Sequence, residues 1–171
     1  HTSGYPKDHF YGSSGGGSTG KWIGHKGNFL EGGVRVPAII SYPAKLPQGI
    51  VRNQIITAMD WFPTVLDLCG VSQKPDASKL DGHSVLPLIQ NAKAKSGHKV
   101  LHFAWSKNWA VRQGEWKLIG NYIRNKKTYR TTLHNLAEEN PEVKDHAKEK
   151  PALVKKLRAL HDQWAKDVEP R

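Results

Sequence analysis

Residues 100–119 read VLHFAWSKNWAVRQGEWKLI, and this stretch decides the architecture of the C-terminal half. Short apolar runs alternate here with polar turns such as Gln113-Gly114-Glu115, and the pattern continues to Leu133. Aromatic and β-branched runs separated by short polar turns are typical of sequential strands. The sequence therefore predicts an antiparallel meander of three or four strands. The predicted strands are Val100 to Trp105, Trp109 to Arg112, Trp116 to Ile119 and Thr128 to Leu133.

An amphipathic helix is predicted after the meander. Pro151 is a favoured residue for the first helical position. An apolar stripe with helical spacing follows it, made of Leu153, Leu157, Leu160, Trp164 and Val168. Because such a stripe usually faces a core, we expect the helix to cover one face of the meander.

The segment before the meander predicts a layered α/β arrangement. Residues 36–42 are an almost continuous apolar run, as expected for a strand covered on both faces. Asp60 is a good N-cap for a helix that ends at Gly70, and a second short helix is predicted from Ser84 to Gln90. The first helix would bury one face, composed of Phe62, Val65, Leu66 and Cys69.

Length and composition indicate a globular chain that resembles a piece of a longer protein. The 171 residues are 37% hydrophobic and 24% charged, a profile that supports a folded core. No stretch approaches eighteen consecutive apolar residues, so a membrane-spanning segment is not predicted. The chain starts at His1 in a polar, Gly-rich segment without Met. We therefore expect a processed or truncated fragment.

The net charge of +11 is concentrated in the second half of the chain. Residues 86–171 carry eighteen basic and nine acidic side chains, whereas residues 1–85 carry eight and six. This excess favours an anionic partner. No nucleic-acid-binding motif is present and the aromatic residues fall in predicted core strands, so a nucleic-acid partner is not predicted. A single cysteine, Cys69, excludes an internal disulfide framework and a thiolate zinc cluster.

The most informative candidate site is the stretch from Gly24 to Pro37. Lys26 lies there between glycines, which allow backbone to approach a ligand closely. A lysine supplies a compact positive charge suited to sulfate or phosphate. From spacing alone, a surface turn with an incidental lysine remains the alternative.

This stretch has the form Lys26-Gly27-x-x-x-Glu31-Gly32-Gly33-x-Arg35-x-Pro37, and further motifs follow it in order. They are Asp60-x-x-Pro63-Thr64, Leu80-Asp81-Gly82-x-Ser84, Ala110-Val111-Arg112-x-Gly114-x-Trp116-Lys117, Leu133-His134-Asn135-Leu136 and Asn140-Pro141-Glu142. Together they resemble the C-terminal portion of type I, formylglycine-dependent sulfatases, arylsulfatase-like members of the alkaline-phosphatase-like superfamily. The resemblance covers nearly the whole chain.

The resemblance implies an α/β fold. It would be the C-terminal part of an alkaline-phosphatase-like mixed-sheet domain, followed by a small antiparallel sheet packed on a C-terminal helix. Residues 1–92 would be the end of the large catalytic domain, with a Gly-rich loop, a strand and helices. Residues 97–171 would be a small α+β subdomain.

Such sulfatases hydrolyse sulfate esters with a formylglycine made in a Cys/Ser-x-Pro/Ala-x-Arg motif, assisted by Ca²⁺ and cationic side chains. In this chain Cys69 is followed by Gly70, Val71, Ser72 and Gln73, so the motif is absent. The complete metal-binding motifs are absent too. The resemblance therefore implies that the formylglycine and the nucleophile lie outside this chain, and that the chain alone is inactive.

Five residues are candidates for the site. Lys26 matches the family lysine that contacts the substrate sulfate, so it is the predicted catalytic and substrate-binding residue. Its neighbour His25 is a weaker candidate for the pocket, as are His102 and Trp105 on the first strand of the meander. His1 would be a metal ligand if it directly follows a metal-binding Asp. It would have no such role if it lies a few residues beyond an Asp-Asn pair.

The predicted function is that of a sulfuric ester hydrolase fragment acting on a sulfated small molecule or glycan, with the N-terminal part of the same protein as its partner. Two alternatives stay open. One is a phosphonate or phosphate monoester hydrolase of the same superfamily, and the other is a non-catalytic anion- or glycan-binding module. Family habit implies a secreted or periplasmic location, where Ca²⁺ is plentiful.

Overall fold

The computed structural model describes residues 18–71 and 80–168. These residues form two compact units: residues 18–36 group with residues 100–168, and Pro37–Lys99 form the second unit. The segment that carries Lys26 therefore belongs with the C-terminal sheet, although 63 residues separate it from Val100 in sequence. The division into domains at residues 92–97 stays a prediction.

The first unit is built on a four-stranded antiparallel meander with the strand order β1-β2-β3-β4. The strands are β1 Leu101–Trp105, β2 Asn108–Gln113, β3 Trp116–Ile123 and β4 Thr128–Asn135. The α/β fold, with an antiparallel sheet and a C-terminal helix, is confirmed. Three of the strands are longer than predicted. Strand β2 gains one residue at each end, β3 continues to Ile123 opposite Thr128, and β4 continues to Asn135 opposite Trp116.

One face of the sheet, here called the helix face, packs against the final helix. Val111, Leu118 and Leu133 lie side by side across β2, β3 and β4 and are fully buried. Leu157 of the helix completes this cluster. Each such aliphatic side chain contributes roughly 1.5–3 kcal/mol through burial, so this layer is the main source of stability in the first unit.

The final helix runs from Pro151 to Val168, as its sequence pattern predicts. Most of the predicted stripe packs against the sheet, but Val168 is 54% exposed. His161, which is not part of the predicted stripe, is buried against the sheet. Its ring stacks on that of Trp109, with ring centroids 4.6 Å apart. Opposite Trp109 on β3 is Gly120, where an added Cβ would come within 2.1 Å of the indole ring. The glycine therefore makes room for the tryptophan.

Two histidines lie inside this helix–sheet contact. The ring of His102 stacks on Trp164 at 4.9 Å and lies 5.8 Å from the ring of His161. Burial, together with the neighbouring His161, lowers the pKa of His102 to about 4. Burial also lowers the pKa of His161, although Asp162 raises it and Arg158 opposes that effect. Both rings are therefore neutral in the folded protein near neutral pH.

We expect the folded protein to lose stability between about pH 6.5 and pH 4. A histidine in the unfolded chain takes up a proton near pH 6.5, whereas folded His102 resists protonation down to about pH 4. Stability is therefore full above pH 6.5 and falls as the pH drops through this window, by roughly 1–2 kcal/mol after allowing for solvent screening. Urea unfolding at pH 7 and pH 5 measures the difference. The His102→Phe variant should reduce it, and an unchanged difference in that variant would contradict the assignment.

The second unit contains two short helices organised around a buried aspartate. Helix Trp61–Leu68 follows a 3-10 turn at Ala58–Asp60, and helix Leu86–Gln90 lies beyond it in sequence. In the numbering used from here, Glu31–Val34 is α1, these two helices are α2 and α3, and Pro151–Val168 is α4.

Asp60 ties three segments of this unit together. Its carboxylate accepts hydrogen bonds from the backbone N–H of Thr57 at 2.7 Å, the backbone N–H of His83 at 2.8 Å and Nε2 of His98 at 2.7 Å. Burial raises the pKa of Asp60, but these hydrogen bonds more than compensate and hold it below the ordinary value. Asp60 therefore stands at the start of α2, as predicted, and also joins the segments of Thr57, His83 and His98 through its buried carboxylate.

Two expectations for residues 36–71 were wrong. Residues 36–42 form no strand, and Val36 and Ile39 are 81% and 90% exposed. A strand needs a hydrogen-bonding neighbour, and none of the described residues pairs with this run. The expected buried face of α2 is also largely open, since Phe62, Val65 and Cys69 are exposed. Pro63 and Thr64 are the buried residues of α2.

No helix in residues 18–71 or 80–168 combines the length and the apolar character needed to cross a membrane.

Candidate functional site

Lys26 lies at the tip of a tight turn. The N–H of Asn28 donates to the carbonyl of His25 at 3.2 Å, which closes the turn around Lys26 and Gly27. The backbone of Gly27 has φ +100°, a conformation that residues with a Cβ rarely adopt. The Lys26 side chain is exposed, and it takes part in no ion pair with the other described residues. The turn therefore presents a positive charge to solvent.

The turn folds back on the short helix α1, and two glycines permit this close approach. The N–H of Gly32 donates to the carbonyl of Ile23 at 2.8 Å. An added Cβ on Gly32 would come within 2.7 Å of the carbonyl oxygen of Gly24, and one on Gly33 within 2.5 Å of the carbonyl oxygen of Asn28. The Gly32-Gly33 pair thus fixes the position of the Lys26 turn against α1.

Glu31, the first residue of α1, anchors this assembly to the sheet. Its side chain is 2% exposed and accepts a hydrogen bond from Nζ of Lys117 on β3 at 2.8 Å. Its other oxygen accepts from Nη1 of Arg112 on β2 at 3.2 Å and from Nε of Arg35. Three cationic side chains from separate parts of the chain therefore converge on one buried carboxylate.

Glu142 completes this ionic cluster, which we define as Glu31, Arg35, Arg112, Lys117 and Glu142. One oxygen of Glu142 accepts the backbone N–H of Glu31 at 2.7 Å, and the other accepts from Nζ of Lys117 at 3.2 Å. The side chains of Lys117 and Glu142 are fully buried. The backbone of Glu142 has φ 68°, an uncommon conformation for a residue other than glycine. This strained residue is the one whose carboxylate accepts the N–H of Glu31 at the start of α1.

The cluster keeps the Glu31 carboxylate ionised. Burial raises the pKa of Glu31, but Lys117, Arg35 and Arg112 act in the opposite direction and hold it below the ordinary value. Buried charges are tolerated when they are paired and hydrogen-bonded. The cluster is therefore a rigid charged joint, and its position is set by strands β2 and β3.

The predicted site residues fall in three places. His25 adjoins Lys26, and its Nδ1–H donates to the carbonyl of Lys26 at 2.8 Å. Trp105 lies at the end of β1 and is 63% exposed. Side chains alternate between the two faces of a strand, so Trp105 shares a face with Phe103. The ring of Phe103 is 6.2 Å from that of Phe29, which belongs to the Lys26 segment. We call this face, which also carries Lys117 and Arg112, the loop face.

His102 lies on the helix face, between Trp164 and His161, so the structure does not bring it together with Lys26. His1 lies outside the described residues. The roles assigned to these four residues and to Lys26 stay predictions.

The described residues do not supply a calcium site. Within residues 18–71 and 80–168, no group of three or more His, Cys, Asp or Glu side chains could hold a metal ion. The carboxylates of the Lys26 region are already engaged with cations, as Glu31 and Glu142 are with Lys117. The residues present here therefore do not fit Ca²⁺.

Sequence reasoning missed the roles of Arg112, Lys117 and Glu142, although all three lie within quoted motifs. A usable signal existed at Lys117, which stands between Trp116 and Leu118 in an apolar strand. Where both faces of a strand are covered, a charged residue must point into buried space and needs an opposite charge. The identity of that partner depends on contacts with Glu31, 86 residues away, which spacing cannot reveal.

Comparison with known proteins identifies the class to which this fold and site belong. A family model described as "N-sulphoglucosamine sulphohydrolase, C-terminal" matches residues 21–167. The chain therefore belongs to this sulfatase family, as a C-terminal domain.

Particular relatives include arylsulfatase D of Homo sapiens, 45% identical over 87 residues, and steryl-sulfatase of Mus musculus, 40% identical over 98 residues. These alignments cover 50% and 57% of this chain but only 14% and 16% of the relatives. An uncharacterized sulfatase of Schizosaccharomyces pombe is 32% identical over 146 residues, which cover 77% of this chain and 25% of that protein. The chain thus spans a quarter or less of these relatives.

A solved sulfatase structure has the same fold. Its title describes the metabolism of multiple glycosaminoglycans by Bacteroides thetaiotaomicron. The match has a TM-score of 0.59 at 21% identity and covers 77% of this chain and 29% of that chain. At this identity the likeness supports the fold alone.

Proposed function

We propose that this chain is the C-terminal part of a sulfuric ester hydrolase, in which Lys26 binds the sulfate group of the substrate. The observation that carries the proposal is the exposed Lys26 ammonium on a turn fixed by Gly32, Gly33 and the buried ionic cluster. A cation held in a fixed position stabilises charge that develops on a sulfate oxygen without a cost of reorganisation. Membership of the sulfatase family supports the choice of sulfate.

The remaining chemistry belongs to parts of the enzyme outside this chain. The chain has no Cys/Ser-x-Pro/Ala-x-Arg sequence, so a formylglycine nucleophile would come from the N-terminal part of the full-length protein. That group supplies the nucleophilic attack on sulfur, and Ca²⁺ would also be bound there. The role left to this chain is to bind and orient the sulfate through Lys26, with His25 beside it.

The test compares the 171-residue chain with the full-length polypeptide that contains it. We expect the full-length protein to hydrolyse an aryl sulfate such as 4-nitrocatechol sulfate, and the chain alone to show no turnover. Turnover by the purified chain would contradict the proposal. Assaying 4-nitrophenyl phosphate and a phosphonate monoester in parallel separates the superfamily alternative: faster turnover of either phosphorus ester would favour it.

The substrate class and the location follow from the same proposal. A sulfated small molecule or glycan suits an open, solvent-exposed lysine, and the family relationship suggests a secreted or periplasmic enzyme.

A further inference from the structure

A second group of titratable side chains lies in the Pro37–Lys99 unit, outside the Lys26 segment. His83 and His98 line a cavity of about 220 Å³ together with the buried Asp60. The ring centroids of the two histidines are 5.0 Å apart, and the ring planes are inclined at 58°. Two imidazole rings therefore border the same small space.

The spacing of the two rings suits a metal ion shared between them. A tetrahedral Zn²⁺ ion binds imidazole nitrogen at about 2.0–2.1 Å, so two rings on one ion have centroids roughly 5 Å apart. Within residues 18–71 and 80–168, Nδ1 of His98 and both ring nitrogens of His83 have no hydrogen-bond partner. These nitrogens are available to bind a ligand.

Asp60 holds both histidines in place. Its carboxylate accepts a hydrogen bond from Nε2 of His98 at 2.7 Å and another from the backbone N–H of His83 at 2.8 Å. When a carboxylate accepts the proton of one imidazole nitrogen, the neutral ring carries its lone pair on the other nitrogen. A carboxylate in this position commonly supports a metal-binding histidine, because it fixes the tautomer and the orientation of the ring.

The backbone around the two rings is fixed as well. The N–H of His98 donates to Oγ of Ser96 at 3.1 Å, and Oγ of Ser96 donates to the carbonyl of Ile55 at 2.6 Å. An added Cβ on Gly97 would come within 2.4 Å of Cδ2 of His83, so the glycine makes room for that ring. The two rings are thus arranged before a ligand binds, which lowers the cost of binding.

We propose that His83 and His98 bind a Zn²⁺ ion, with water in the remaining coordination positions. In the part of the chain that the structure describes, no third His, Cys, Asp or Glu side chain completes a metal-binding group. Imidazole nitrogen suits Zn²⁺, whereas Ca²⁺ takes oxygen ligands. Lys95 also lines the cavity, and the carboxylate of Asp60 opposes its positive charge. An anion is disfavoured, because the free nitrogen of a neutral His98 accepts hydrogen bonds and donates none.

The bound ion would join the segment of His83 to that of His98 and reinforce the junction at Asp60. A ligand that binds only the folded state stabilises that state by mass action. The site requires no hydrolysis of a sulfate ester, so the proposal stands or fails independently of the function proposed for Lys26.

The experiment titrates the 171-residue chain with Zn²⁺ alone, by isothermal titration calorimetry. The test variant is His83→Phe, which keeps an aromatic ring beside Gly97 and removes both ring nitrogens. The matched control is His25→Phe, which makes the same substitution at the other exposed histidine of the described residues. Circular dichroism verifies that both variants are folded, and urea unfolding with and without Zn²⁺ gives a second measurement.

We expect one saturable Zn²⁺ site that His83→Phe binds at least about 100-fold more weakly than His25→Phe does, since losing only a supporting group costs about 10–100-fold in metal affinity. Zn²⁺ should raise the urea midpoint of His25→Phe and leave that of His83→Phe unchanged. Equal Zn²⁺ affinities in the two variants would overturn the proposal, as would the absence of saturable binding below about 1 mM. Tighter binding of Ca²⁺ than of Zn²⁺, lost in His83→Phe, would overturn the choice of ion.

Discussion

Replacing Lys117 by methionine is expected to destabilise the chain by about 3–5 kcal/mol. The substitution keeps the length of the side chain but leaves Glu31 and Glu142 buried without the ammonium group that joins them. Two desolvated carboxylates a short distance apart repel each other, and removing one partner from a buried ionic cluster is among the most damaging single changes. Arg112 and Arg35 still contact Glu31, but neither contacts Glu142 in the structure.

The midpoint of urea unfolding, followed by circular dichroism, measures this effect. Lys148→Met is the matched control, because Lys148 is exposed and a surface substitution of this kind is expected to change stability by no more than about 0.5 kcal/mol. Adding Glu142→Gln to Lys117→Met should recover part of the loss, since it removes one of the uncompensated charges. A loss below about 1 kcal/mol for Lys117→Met would show that the cluster is not a structural joint.

In the full-length enzyme, replacing Lys26 by alanine is expected to lower kcat/KM for an aryl sulfate by about 10²–10³-fold. The side chain is exposed at the tip of its turn, so its removal should leave the fold intact. The loss would then measure the stabilisation of sulfate charge by the ammonium group. Lys155→Ala, at an exposed position of α4, is the control and should retain full activity.

The stability of the Lys26→Ala variant must be measured beside its activity. An unchanged urea midpoint with a large fall in kcat/KM assigns the effect to the site. A fall of less than about threefold would instead favour the incidental surface lysine. The Lys117→Met variant makes a useful companion in the same enzyme, since it should lower activity together with stability, whereas Lys26→Ala should lower activity alone.

Local pattern was enough to predict the C-terminal half of the fold. Each strand of the meander is bounded by its own turn, and α4 carries its apolar stripe within eighteen residues. The partners of these elements are neighbours in sequence, so periodicity identifies them. The same reasoning failed for residues 36–42, because an apolar run becomes a strand only when another strand pairs with it.

Only part of the candidate site could be predicted from the sequence. The Lys26 turn follows from its glycines and from the family resemblance, and the structure places Lys26 on an exposed turn. His102 illustrates the limit: alternation along β1 places it on the opposite face of the sheet from Phe103, but sequence alone does not say which face packs against α4. The ionic cluster was beyond reach for a similar reason, because its members come from three distant segments.

The distance in sequence between the members of the ionic cluster has a consequence for the order of folding. Glu31 contacts Glu142 across 111 residues, and Pro37–Lys99 form a separate unit between them. Closing a loop of this length costs conformational entropy before any contact repays it, and long-range contacts of this kind form slowly. During synthesis, the Lys26 segment leaves the ribosome before the residues that anchor it. The turn should therefore reach its final position only after the meander has formed, so the geometry around Lys26 depends on completion of the sheet.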